Sequence, residues 1–273
     1  MTCSCSAIFA LLFTFLAVIL TTTSFALPLW TRNTASFSLG IPPLFDAKAN
    51  VQYSLGLWGL CIDSTTEQTV FTNENQVKQC IHYYSSSSLS TFVDDKFDTD
   101  LEEYNDYALC TYYADNTVIF EDIQNVVNVL GINVPSTFFE KTCGHLGKST
   151  LVFGILSFVS GVFILLLLLF GMVCCKQSSK CVSMAALLAY GAGVLTATTW
   201  ILWIIQSRTV RSSTASVLAV SFSLSVVAMC FYFLAGYLIF RHVRLGKEKE
   251  QASSQTVFTT VAPLVAVKAT PLV

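Results

Sequence analysis

Apolar positions in this chain do not alternate with polar ones so much as run on. Residues 150–175, 182–205 and 215–240 contain no Asp, Glu, Lys or Arg. Each run exceeds the roughly 20 residues a helix needs to cross a hydrocarbon core. A fourth apolar stretch covers residues 7–29. The pattern predicts three spanning helices, with the first stretch as a fourth span or a signal peptide, and a small outer unit of mixed sheet and helix between the first two stretches. In segments it reads 1–29 first span, 30–149 large outer loop, 150–175 second span, 176–181 turn, 182–205 third span, 206–214 short outer loop, 215–240 fourth span and 241–273 tail. The first stretch has a second reading as a signal peptide cut after Ala26, where Ser24-Phe25-Ala26 has a small-x-small form. Its length and its lack of Lys or Arg before the apolar core speak against cleavage.

Charge sorts by segment. Residues 28–149 hold fifteen Asp or Glu against six Lys or Arg, and the rest of the chain holds two against nine. Lys176, Lys180, Arg241, Arg244, Lys247 and Lys249 flank one set of helix ends, whereas Arg208 and Arg211 are the basic residues of the short loop on the other side. This asymmetry predicts a cytoplasmic tail and an extracellular long loop in a multi-pass plasma-membrane protein. Pumps and proton relays keep ionisable groups at membrane depth, and these spans have no acidic or basic side chain. The search for function therefore moves to the loops.

Within the long loop, residues 51–62 are rich in aromatic and β-branched side chains and predict a strand. Ile123, Val126, Val127 and Leu130 recur at helical spacing ahead of Gly131, which predicts a short amphipathic helix with a glycine stop. Ser85–Ser88 marks a loop. Cys61, Cys80, Cys110 and Cys143 form an even set that predicts two disulfides. Three connectivities are possible, and the sequential one, Cys61–Cys80 with Cys110–Cys143, closes the shortest loops. Gly147-Lys148-Ser149-Thr150 ends like a phosphate-binding loop, but Thr142 stands where the first glycine belongs. Asp94, Asp95, Asp98, Asp100, Glu102, Glu103 and Asp106 lack the glycine turn and spacing of a calcium loop and read as a solvated acidic segment. His82 and His145 have no partner motif. The sequence therefore predicts no enzyme, metal, cofactor, nucleic acid or small-molecule substrate.

Trp30 after the first span, then Gly56-Leu57-Trp58-Gly59-Leu60-Cys61, then Cys80, together resemble the W…GLW…C…C signature of the claudin and peripheral myelin protein superfamily. The core is also similar to that of fungal or protist plasma-membrane relatives, including the eisosome-associated tetraspan families. The resemblance implies an all-α transmembrane four-helix bundle with a disulfide-stapled, mainly β extracellular domain, cytosolic termini and an outer sheet resting on the membrane surface. It also implies a Cys61–Cys80 staple between two strands. Gly56, Leu57 and Trp58 would seat the sheet on the helices, with Trp30 at the interface. Eighteen residues separate Cys61 from Cys80, a wider gap than that pattern has, and the second cysteine pair is additional. A four-helix fold needs residues 1–26 as a retained span.

Small residues recur every fourth position in the third span, at Ala185, Ala189, Gly193 and Ala197. Ala215, Ala219 and Ser223, with Ser221 and Ser225, do so in the fourth, and Ser157 and Gly161 lie in the second. Such ladders allow close helix packing in lipid, within one bundle or between copies. Trp200 and Trp203 read as interfacial anchors. Cys174, Cys175 and Cys181 lie where reversible S-acylation occurs, as it does in claudins. These features predict a non-catalytic claudin-like organiser of membrane domains or cell contacts. Membrane lipid would surround it, and its partners would be further copies of itself or other membrane proteins. The other reading is a cation-selective pore or channel accessory subunit that uses the acidic outer loop.

Overall fold

The computed structural model describes residues 5–41, 45–67, 75–85, 108–115, 134–174, 180–213 and 216–266. Among the described residues four helices are long and apolar enough to cross a membrane: α1 (Cys5–Ala26), α4 (His145–Cys174), α5 (Lys180–Ser213) and α6 (Val220–Ala266). Each packs mainly against two of the others, α1 on α6 and α4, and α5 on α4 and α6. Among the described residues, two short helices, α2 (Leu109–Asp115) and α3 (Ser136–Cys143), lie in the segment between α1 and α4. The outward faces of the long helices keep large apolar side chains exposed, Leu187 at 70% and Phe170 at 64%. In water such a surface would be a liability, and its natural solvent is lipid.

The same segment carries an antiparallel sheet. Strands β1 (Thr31–Ile41), β2 (Phe45–Leu55), β3 (Gly59–Glu67) and β4 (Asn75–His82) form a meander. A two-residue strand, β5 (Val217–Leu218), joins the free edge of β1, giving the order β4-β3-β2-β1-β5. Residues 51–62 are therefore not one strand. The chain reverses at 56–58, because a side chain on Gly56 would meet the Pro28 Cα at 2.6 Å and one on Gly59 the Ile81 carbonyl at 2.6 Å. Glycine permits this close approach of backbones.

Helix ends also differ from the sequence reading. Residues 206–213, read as a loop, are the last turns of α5, with no glycine or proline to stop them. Gln206 Nε2 donates to Thr142 Oγ1 at 2.7 Å, and Arg211 Nη2 donates to the Ile204 carbonyl at 3.2 Å. The fourth helix starts at Val220 rather than 215, after β5, and continues through most of the expected tail. At about 1.5 Å per residue it is roughly 70 Å long, well beyond a hydrocarbon core. The amphipathic helix expected at 123–130 and the acidic segment at 94–106 lie outside the described residues.

Several polar side chains between the helices are satisfied locally. Ser157 Oγ and Thr196 Oγ1 lie 2.6 Å apart across α4 and α5, and Ser157 also donates to the Ala192 carbonyl. Between α1 and α6, Thr21 Oγ1 donates to the Tyr232 hydroxyl and Ser24 Oγ to the Ser221 carbonyl at 2.7 Å. Each removes a donor or acceptor that would be costly to leave unpaired in an apolar layer.

Candidate interaction site at the junction of sheet and helices

The C-terminal ends of α1 and α5 and the N-terminal ends of α4 and α6 meet the sheet at one end of the molecule. A short strap, Leu27 to Trp30, makes the connection. The Trp30 amide donates to the Leu55 carbonyl, and the carbonyls of Leu29 and Trp30 accept from the amides of Ser221 and Ala219. Thr31 and Arg32 then pair with Leu218 and Val217. The sheet is thus hydrogen-bonded into the start of the last helix.

Aromatic packing completes the joint. Trp30 is 1% exposed, and its indole N–H donates to the Ser24 carbonyl at 2.8 Å. Its ring meets Trp203 and Phe222 edge-on, at 5.7 and 6.4 Å between centroids. Trp203 in turn packs edge-on against Phe138 at 6.3 Å and donates from its indole to Thr31 Oγ1 at 3.1 Å. Edge-to-face pairs at these separations contribute about 0.5–1.5 kcal/mol each beyond their burial. Trp203 is therefore a buried core residue, not the interfacial anchor expected from its position. Its wall mates were legible only as scattered aromatics: Phe138 lies 65 residues away in sequence. Trp200 is half-buried beside Phe222 and Met229.

The Gly56–Gly59 turn presses onto the same junction. The Gly56 amide donates to the Gly59 carbonyl and the Tyr83 amide to the Trp58 carbonyl, which fixes the turn on the end of β4. Leu57 is buried in the cluster formed by Trp30, Tyr53, Leu55, Leu60, Tyr83 and Phe138, among others. Trp58 is half-buried and stacks edge-on against His82 at 4.7 Å. Trp30, Gly56, Leu57 and Trp58 thus lie together between sheet and helices.

Two disulfides flank the joint. Cys61 and Cys80 face one another as a registered pair on β3 and β4. Cys110 and Cys143 tie α2 to α3. Non-reducing peptide mapping should recover these two cross-linked peptides and no free thiol at the four positions; any other pairing would contradict the arrangement. Replacing Cys61 with serine should cost about 2–5 kcal/mol, read as a lower unfolding temperature in detergent.

The junction has little acid–base chemistry. Burial pushes the Tyr84 phenol up to about 12 and the Tyr83 phenol well above its ordinary value, so both stay protonated at neutral pH. Tyr84 uses its proton to donate to the Thr142 carbonyl at 2.5 Å. Among the described residues no three His, Cys, Asp or Glu side chains gather as metal ligands. His82 and His145 lie in different surroundings, the first beside Trp58 and the second at the start of α4 next to Glu140 and Lys141.

The small-residue ladder lies inside the molecule. Ala185 and Ala189 are fully buried, Gly193 is buried against the Phe233 ring, and Ala197 is partly covered. At the far end from the sheet, Cys174 ends α4 and Cys181 is an exposed free thiol in the first turn of α5; Cys175 falls outside the described residues. Cys230, which the sequence reading did not single out, is a second exposed free thiol, on α6.

No protein-family model matches the chain, and no curated protein matches it.

Proposed function

We propose that this protein is a non-catalytic, claudin-like tetraspan of the plasma membrane that organises membrane domains or cell contacts through its outer domain. One observation carries the reading: the sheet is not tethered by a linker but hydrogen-bonded and packed onto the helix ends through Trp30, Thr31, Trp203 and β5. A sheet held this way presents a fixed surface at a fixed height above the bilayer. That suits recognition, because a pre-organised surface loses little freedom on binding. In this reading the sheet end is extracellular, the basic ends near Lys180 and Arg241 are cytoplasmic, and α1 is a retained span. Cleavage after Ala26 would strip α1 from Tyr232 and Ser221. The ladder of α5 is used up inside the chain, so contact between copies falls to the outer domain and the lipid-facing surfaces.

The test combines imaging with recording. Asp94, Asp95, Asp98, Asp100, Glu102, Glu103 and Asp106 are changed to their amides in a fluorescently tagged chain. An organiser is expected to lose patch formation or cell contact with membrane conductance unchanged. A conductance that is present in the native protein and falls with the substitutions would overturn this reading in favour of a cation pathway.

A further inference from the structure

At the sheet end of the seam between α1 and α4 lies a cavity of about 570 Å³, lined by Thr22, Phe25, Ala26, Ile155, Phe158 and, from the sheet, Trp58, with His82 and Ser85 at its rim. We propose that this groove binds a membrane sterol, hydroxyl uppermost against the His82–Ser85 rim. The inference rests on the membrane placement above.

Four features argue for that occupant. Two walls belong to spanning helices, and Ile155 is 46% exposed, so the groove is filled from the lipid and not from water. The volume is that of a small-molecule site. At the upper end Ser85 Oγ and His82 Nδ1 lie 3.0 Å apart, and below them the lining is phenyl, indole and aliphatic apart from Thr22, whose hydroxyl donates to the Val18 carbonyl of its own helix at 2.8 Å. This is the polarity profile of an amphiphile with a small head. Among the described residues the lining has no Lys or Arg, so a phosphate headgroup would find no charge-assisted partner on them, whereas a neutral hydroxyl needs only one donor or acceptor.

Rigidity then separates sterol from other neutral lipids. The helix walls, Thr22 to Ala26 and Ile155 to Phe158, span about one turn, or roughly 5–6 Å of depth. A shallow site cannot repay the freezing of flexible acyl chains, but a fused-ring body arrives already ordered. Phe25, Trp58 and Phe158 supply aromatic surface for such a body. Phe25 is held there because its ring crosses α4 at Gly154, where a side chain would meet Phe25 Cε2 at 2.1 Å.

The test uses the full chain in phosphatidylcholine vesicles containing a trace of a diazirine-bearing sterol, with mapping of the photolabelled peptides. Labelling is expected to concentrate on residues 22–26 and 155–158 and to disappear with excess unlabelled sterol. Ile155→Trp, which fills the groove from one wall, should reduce labelling there by about tenfold, equivalent to 1.4 kcal/mol of affinity, and leave other lipid-facing positions unchanged. Thr22→Trp does the same from the opposite wall if the first variant folds poorly. Labelling no denser in the groove than around Leu187 or Phe170 would overturn the proposal. So would a diazirine acyl-chain phosphatidylcholine that labels the groove and is not displaced by sterol. Failure of every lipid probe to label any of the four helices would remove the membrane placement itself, a separate result.

Discussion

Replacing Trp30 with alanine should lower the ratio of folded to unfolded protein by about three to four orders of magnitude. Deleting a fully buried tryptophan costs about 3–5 kcal/mol through lost transfer energy and the cavity left behind. Here the cavity opens between Trp203, Phe222 and the strap, where a relaxing wall would pull β1 off β5. The Ser24 carbonyl also loses the indole donor, which adds about 1 kcal/mol. The measurement is thermal unfolding in mild detergent, followed by tryptophan fluorescence, with delivery to the cell surface as a second readout. Trp58→Ala is the comparison. Its side chain is only half-buried, so about 1 kcal/mol is expected, an ordinary single-substitution effect. Equal losses from the two changes would mean that Trp30 is not the pin of the joint.

Gly161→Leu should abolish folding where Gly191→Leu does not. A Cβ on Gly161 would lie 2.2 Å from the Tyr232 hydroxyl and 2.9 Å from a Val18 methyl, so α1, α4 and α6 cannot all keep their places. Overpacking a tight interior costs about 1–3 kcal/mol for a few added methylenes. A whole leucine at a three-helix contact should exceed that, since helices in lipid associate mainly through close approach. Gly191 meets nothing within 4 Å and is exposed, so leucine there should fold normally. Ala189→Leu, at a fully buried position of the ladder, should behave like Gly161→Leu. Recovery of monodisperse protein from size-exclusion chromatography reads all three. A folded Gly161→Leu protein that has lost only its patches would show that the seam joins separate copies.

How much of this was legible before folding depends on the kind of signal. The four long helices follow from local composition, because a run without ionisable groups needs no distant partner to declare itself. Two disulfides follow from an even cysteine count, and the structure has the sequential pairing. The break at Gly56 was hidden, since the need for glycine comes from Pro28, twenty-eight residues earlier. Trp203 misled for a similar reason. Near a span's end a tryptophan usually meets headgroups, but this one is covered by Trp30 and Phe138, from two other parts of the chain. The two-residue β5 carries no periodicity at all; its pairing exists because Trp30 and the start of α6 are already side by side.

In the proposed topology the sheet stands outside the cell on four helices whose other ends face the cytosol. Single cysteines introduced at Ser85 and Lys247, each in a chain whose six cysteines outside the disulfides (Cys3, Cys5, Cys174, Cys175, Cys181 and Cys230) are changed to serine, give the sharpest test. Both positions are exposed, one beside the sheet and one beyond the far end of α6's apolar run. With a membrane-impermeant maleimide on intact cells, Ser85→Cys should label at once and Lys247→Cys only after permeabilisation. Labelling of Lys247→Cys on intact cells, with Ser85→Cys protected, would contradict the account.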